Sequence, residues 1–105
     1  MPSFVPPLLL RVATAWSLPG LGLLALPQGP AAPLAAYALH TALLVEAVLP
    51  DGTRHAAHAT VEEITRPEES TASTRGLLLD FAGPLALPPG TTIWLVQAGS
   101  KLGSA

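Results

Sequence analysis

The chain has 105 residues and no cysteine. That absence excludes disulfides and thiolate chemistry and removes the commonest structural zinc ligands. It leaves the compartment open, although a small secreted domain more often carries disulfides. Charge is also scarce. Five Lys and Arg stand against seven Asp and Glu, for a formal net charge of −2. The five cations (Arg11, Arg54, Arg66, Arg75 and Lys101) are scattered along the chain. Nucleic-acid binding draws on clustered cations that displace phosphate counterions, and that footprint is missing. Long apolar runs are missing too, because Pro, Gly, His and Glu interrupt every stretch before it reaches membrane-spanning length. The opening MPSFVPPLLLRV makes a poor secretory signal. Its apolar run is short, is broken by Pro6 and Pro7, and follows no basic residue. The expectation is a soluble, cytoplasmic protein with no membrane partner.

Apolar residues and punctuation are abundant. Half the residues are hydrophobic, and there are 12 prolines and 9 glycines. This length suits one domain, and this apolar content can form a continuous core without covalent staples. The prolines and glycines cut the chain into short extended segments.

Residues 8–18 (LLLRVATAWSL) form the first strand candidate, stopped by Pro19-Gly20, a pair suited to a tight turn. Leu8, Leu10, Val12, Trp16 and Leu18 share one parity. Leu23–Leu26 is a second short strand. Residues 34–40 leave helix and strand open: alanine content and apolar spacing favour a helix. The Pro50-Asp51-Gly52 hairpin signal favours extended chain on both sides, and predicts a strand over 41–49 and a return over 53–64. Val61 and Ile64 lie three apart, so burial of both requires a bulge at Glu62-Glu63. Residues 66–74 read as an exposed loop. Leu77, Leu79 and Phe81 face one way in the next strand, and Pro88-Pro89-Gly90 precedes a last strand over 91–97. Several short strands with frequent turns indicate an all-β barrel or sandwich. The prediction is a single small, closed or nearly closed antiparallel β-barrel of about six to seven strands over 1–97, with a flexible tail over 98–105.

The order of these pieces resembles domain 2 of the translational GTPases, the elongation factor Tu type of barrel. Trp16-Ser17-Leu18-Pro19-Gly20-Leu21-Gly22 is similar to the family's aromatic–Ser/Thr–Ile strand end and Gly-x-Gly turn. Tyr37–Thr41 stands where the family has a Gly-containing turn and a strand leading to a Gly-Asp-like break. Val61-Glu62-Glu63-Ile64 matches its V-x-x-I ending. Gly76–Phe81 and Pro89-Gly90 to Trp94 match its final strand pair. The resemblance covers roughly residues 8–97, in motifs that are individually short. It implies a translation-factor domain 2 barrel standing without its GTPase, since no GxxxxGK[ST] loop occurs and GTP is not expected as a ligand. In the family, the aromatic and its acidic neighbours help hold the aminoacylated end of transfer RNA. Here only Trp16 and Ser17 carry over. The family's arginine between the turn glycines is Leu21, and its acidic residues before the aromatic are Ala13 and Thr14.

No catalytic or metal constellation stands out. His55 and His58, placed on a strand, point to opposite faces and cannot share a metal, and His40 sits alone. Glu62-Glu63 and Glu68-Glu69 are sequence neighbours, whereas an acid–base pair needs groups opposed across a cleft. Ser17, Ser70 and Ser73 lack a G-x-S-x-G setting. Asp80 is expected to be exposed or paired with Arg75 or Arg54. Trp94 is assigned to the core. Trp16, at a strand end beside a glycine turn, is expected half exposed and is the leading contact residue, with Ser17 and Leu21. Leu21, Leu23 and Leu24 beside it can form an apolar patch.

The reading is therefore a non-catalytic, stand-alone binding module without cofactor or metal, engaged in protein–protein interaction or self-association. One alternative is an RNA- or ribosome-associated accessory module, on analogy alone. Another is a small enzyme, which requires at least two of His40, His55 and His58 to converge.

Overall fold

The computed structural model describes residues 7–29, 32–65, 73–81 and 85–98. The expected tail beyond Ala98 and most of the expected loop at 66–74 lie outside them. Six strands form a closed antiparallel barrel: β1 (Leu8–Leu18), β2 (Gly22–Pro27), β3 (Ala42–Val48), β4 (Arg54–Thr65), β5 (Ser73–Asp80) and β6 (Thr92–Ala98). Their order around the barrel is β1-β2-β5-β4-β3-β6. Closure removes the free edges that six apolar strands would otherwise present. A one-turn helix, α1 (Ala32–Ala35), follows β2 and settles the ambiguity at 34–40. Helical propensity prevails there for one turn only. The chain then turns at His40, which adopts a left-handed φ of 69° and donates its amide hydrogen to the Val61 carbonyl.

The core is aliphatic. Leu10, Val12, Ala25, Leu43, Val45, Ala47, Ala57, Ala59, Val61, Leu77, Leu79 and Ile93 fill the interior, and Leu34 of α1 joins them. A barrel of so few strands has a narrow bore, which suits alanines on β4 facing leucines on its neighbours. No aromatic side chain is fully buried among the described residues. Trp94, assigned to the core from sequence, is instead half-buried on the outer wall, opposite Leu8 and Glu46. Its indole nitrogen donates to Thr92 Oγ1 at 2.8 Å. Ile93 occupies the inward position beside it, because successive strand residues alternate faces.

Bulges occur, but not where the spacing of Val61 and Ile64 suggested. β4 pairs with β5 without interruption from His58↔Asp80 to Thr65↔Ser73. Val61 therefore points inward and Ile64 outward. Ile64 is half-buried without any shift of register, because it lies with Leu26 over Gly76 on the outside of the wall. Two irregularities fall in β1, between Leu8 and Leu10 and between Val12 and Thr14, and a third lies in the β3–β6 pairing, between Leu44 and Val45. The second one matters most for the surface. Val12 faces Pro27 and the interior, whereas Thr14 faces Leu26 and the exterior, so Ala13 is the extra residue. Val12 and Trp16 share a parity in sequence, yet one is wholly buried and the other is not.

The β3–β4 hairpin closes as its Asp-Gly signal predicts. The Leu49 amide donates to the Thr53 carbonyl and the Gly52 amide to the Leu49 carbonyl. Asp51 Oδ1 accepts from the Thr53 amide at 2.9 Å and from its hydroxyl at 2.7 Å.

Candidate functional site

The β1–β2 hairpin carries the three residues singled out from sequence. After the Ala13 bulge, β1 and β2 pair in strict register from Thr14↔Leu26 to Leu18↔Gly22. Outward positions are then Trp16, Leu24 and, across the next strand pair, Leu78. Inward positions are Ala15, Ala25 and Leu77. The turn Pro19-Gly20-Leu21 closes with the Leu21 amide donating to the Leu18 carbonyl at 2.9 Å. Gly22 has a φ of 128°, and a Cβ there would overlap the Leu79 carbonyl oxygen. The hairpin tip is thus pressed against the end of β5 at a position only glycine fills.

A groove of about 470 Å³ opens at this end of the barrel. Its apolar walls are Leu18, Leu21, Leu23, Leu79, Phe81 and Leu85, with Ser17 and Asp80 as polar groups at the lining. Ser17 and Leu21 therefore meet in one site. Trp16 does not line the groove: it stands on the adjoining outer wall, 49% exposed, and Leu21 is 63% exposed at the tip. Exposed side chains of this size are isolated on many surfaces, but here both belong to one hairpin, Trp16 on its outer wall and Leu21 at its tip. Phe81 and Leu85, which complete the groove, were not picked out from sequence. No local signal marks them, since they reach the hairpin tip only through the β2–β5 pairing.

The titratable groups are dispersed. His40 Nδ1 lies 3.2 Å and 3.3 Å from the two carboxylate oxygens of Glu62, on the outer wall. His58 is exposed on the same wall, opposite Asp80. His55 faces the other way, toward the barrel end, opposite Ala47. The three imidazoles do not converge in one pocket. Asp80 is exposed, as expected, but neither arginine reaches it: Arg54 pairs with Glu46 at 3.2 Å, and Arg75 stands on the opposite face in register with Glu63. Arg75 Nη1 is a buried nitrogen without a hydrogen-bond partner among the described residues. The Asp51 carboxyl is held below its ordinary value, chiefly by the Thr53 amide that donates to it and next by the Thr53 hydroxyl. Among the described residues no group of three or more His, Asp or Glu is placed to hold a metal ion, and no helix is long and apolar enough to cross a membrane.

No protein-family model, curated protein or solved structure matches this chain.

Proposed function

We propose that this protein is a non-catalytic binding module whose working surface is the β1–β2 end of the barrel. The observation that carries the reading is the exposed leucine at the hairpin tip beside an open groove walled by leucines and Phe81, with the half-exposed Trp16 on the outer wall of the same hairpin. Aromatic and aliphatic anchors in water-accessible pockets are the usual carriers of binding energy between proteins. The groove is in the size range of ligand sites, but it opens widely to solvent and suits an apolar side chain of a protein segment better than an enclosed small molecule. Its only carboxylate among the described residues, Asp80, would favour a basic residue next to that anchor. The barrel is proposed to be of the translation-factor domain 2 kind, released from its GTPase, on the strength of the hairpin motif and the order of the later turns. The family's RNA contact is not carried over, because leucine replaces arginine at the tip and the described cations do not cluster.

Selection of binders from a random peptide display library tests the proposal. Recovered peptides are expected to share an apolar anchor beside Lys or Arg. In a ¹⁵N NMR titration they should shift the amides of residues 17–23 and 79–81, and Leu21→Asp should abolish those shifts while leaving the rest of the spectrum in place. Failure to enrich any sequence, or shifts elsewhere on the barrel, would remove the basis for the reading.

A further inference from the structure

The outer wall beside the groove carries a pattern of its own. Cross-strand partners place Trp16, Leu24, Leu78 and Thr60 in one row across β1, β2, β5 and β4. None of these side chains belongs to the interior cluster, and each is partly or largely solvent-exposed. The row contains no charge. Titratable groups flank it: His58 and Glu62 on β4, one step to either side of Thr60, and Asp80 on β5, beside His58. Glu62 is fixed in place, because its carboxylate accepts from Thr60 Oγ1 at 2.8 Å and lies against His40.

We infer that this wall pairs with the same wall of a second copy, about a two-fold axis running along the row. Such an axis reverses the strand direction of the partner. Leu78 then meets the partner's Leu78 and Leu24 the partner's Leu24, with Trp16 closing one edge against the partner's Trp16. On β4 the same operation sets His58 against the partner's Glu62, and Glu62 against the partner's His58. One operator thus matches apolar to apolar and base to carboxylate twice, as a self-complementary interface requires. Asp80, beside His58, meets the partner's Gly76, over which the partner's Leu26 and Ile64 side chains lie. The contact spans three to four strands about 4.8 Å apart, which is small beside the roughly 800 Å² per partner of a standard complex, so the dimer is weak and concentration-dependent. The inference rests on the binding-module reading and names a partner for it. Its decisive residues, His58 and Glu62, do not line the groove, so the peptide experiment above can succeed or fail independently.

Sedimentation equilibrium over a range of protein concentrations tests it, with circular dichroism melts to confirm that each variant folds. The wild-type chain is expected to show a monomer–dimer equilibrium. His58→Glu and Glu62→Lys should each raise the dissociation constant by about tenfold, through loss of two histidine–carboxylate contacts per dimer. An equimolar mixture of these two variants should associate more tightly than either alone, because each heterodimer restores opposite charges at both sites. Leu78→Arg should give a monomer. A wild-type chain that stays monomeric throughout, or a dimer indifferent to both charge variants, or a mixture no tighter than its components, overturns the inference.

Discussion

The two hairpins of this barrel are built alike and finished differently. The β3–β4 hairpin holds seven consecutive residue pairs, from Ala42↔Thr60 to Val48↔Arg54, without a register shift. Its outer face carries the Glu46–Arg54 pair and the exposed His58, and its turn is tied by Asp51. The β1–β2 hairpin has a bulge at Ala13, an outer face of Trp16 and Leu24, and a leucine at its tip. Both hairpins bury the same kind of aliphatic inner face. Stability therefore accounts for what they share, and not for what separates them. On β3–β4 the outward Leu44, Val48 and Ala56 are interspersed with Glu46, Arg54 and His58, whereas the corresponding face of β1–β2 sets Trp16 beside Leu24 with no charge between them, the pattern expected of a surface that a partner covers.

Changing the turn glycines breaks the comparison most strongly. Gly22→Ala combines a left-handed backbone with overlap against the Leu79 carbonyl, and should destabilise the fold by about 3 kcal/mol or more. Gly52→Ala, with a φ of 92° but open space around it, should cost only about 1 kcal/mol. Urea denaturation midpoints compare the two, and equal losses would mean that the β1–β2 tip is not pressed against β5.

Next come the tryptophans. Trp94→Ala removes a half-buried ring and its hydrogen bond to Thr92, for a loss of about 1–2 kcal/mol. Trp16→Ala should cost less in the dilute protein, about 0.5–1 kcal/mol, because half the ring is already in water. A larger loss at Trp16 than at Trp94 in thermal melts would make Trp16 a structural residue and weaken its reading as a contact.

Leu21→Asp is smaller still in stability, within about 0.5 kcal/mol of wild type, since the side chain is mostly exposed. Its effect belongs to binding, and the same melt that shows no change should accompany loss of peptide affinity.

The mildest test is acid. The Asp51 carboxyl is depressed in the folded chain, so its contribution is present above its unfolded value and disappears as pH falls through its folded value. Stability attributable to this turn should be constant above about pH 5 and decline below about pH 4. Asp51→Ala should flatten that part of the pH–stability curve, and an unchanged curve would show that the Thr53 hydrogen bonds do not persist in solution.

Much of the barrel was legible along the chain because turns are local chemistry. Pro19-Gly20, Pro50-Asp51-Gly52 and Pro89-Gly90 each need particular backbone angles that few residues adopt, and all three lie at observed turns. Facing was harder to read. Parity carries a strand's two faces only while register is unbroken, and the sequence around Ala13 has nothing to distinguish a bulge from plain alternation. The apparent anomaly at Val61 and Ile64 pointed to the wrong strand, because an outward isoleucine can be covered from outside when Leu26 lies beside it over Gly76. Trp94 was misplaced for a related reason: a large apolar residue suggests a core, but the bore of a six-stranded barrel is taken up by smaller aliphatic side chains.

By itself, then, the sequence determined an all-β chain of short antiparallel strands, the places where it turns, and the exposure of Trp16 beside a glycine turn. Only the tertiary structure decided that the sheet closes with β5 between β2 and β4, that Phe81 and Leu85 complete a groove with Leu21, and that Trp16, Leu24, Leu78 and Thr60 form one uncharged row between His58 and Glu62. The physical reason is the range of the interactions concerned. Turn propensity acts over a few residues, whereas strand order and register are set by which arrangement buries the aliphatic faces together, and that choice involves the whole chain at once.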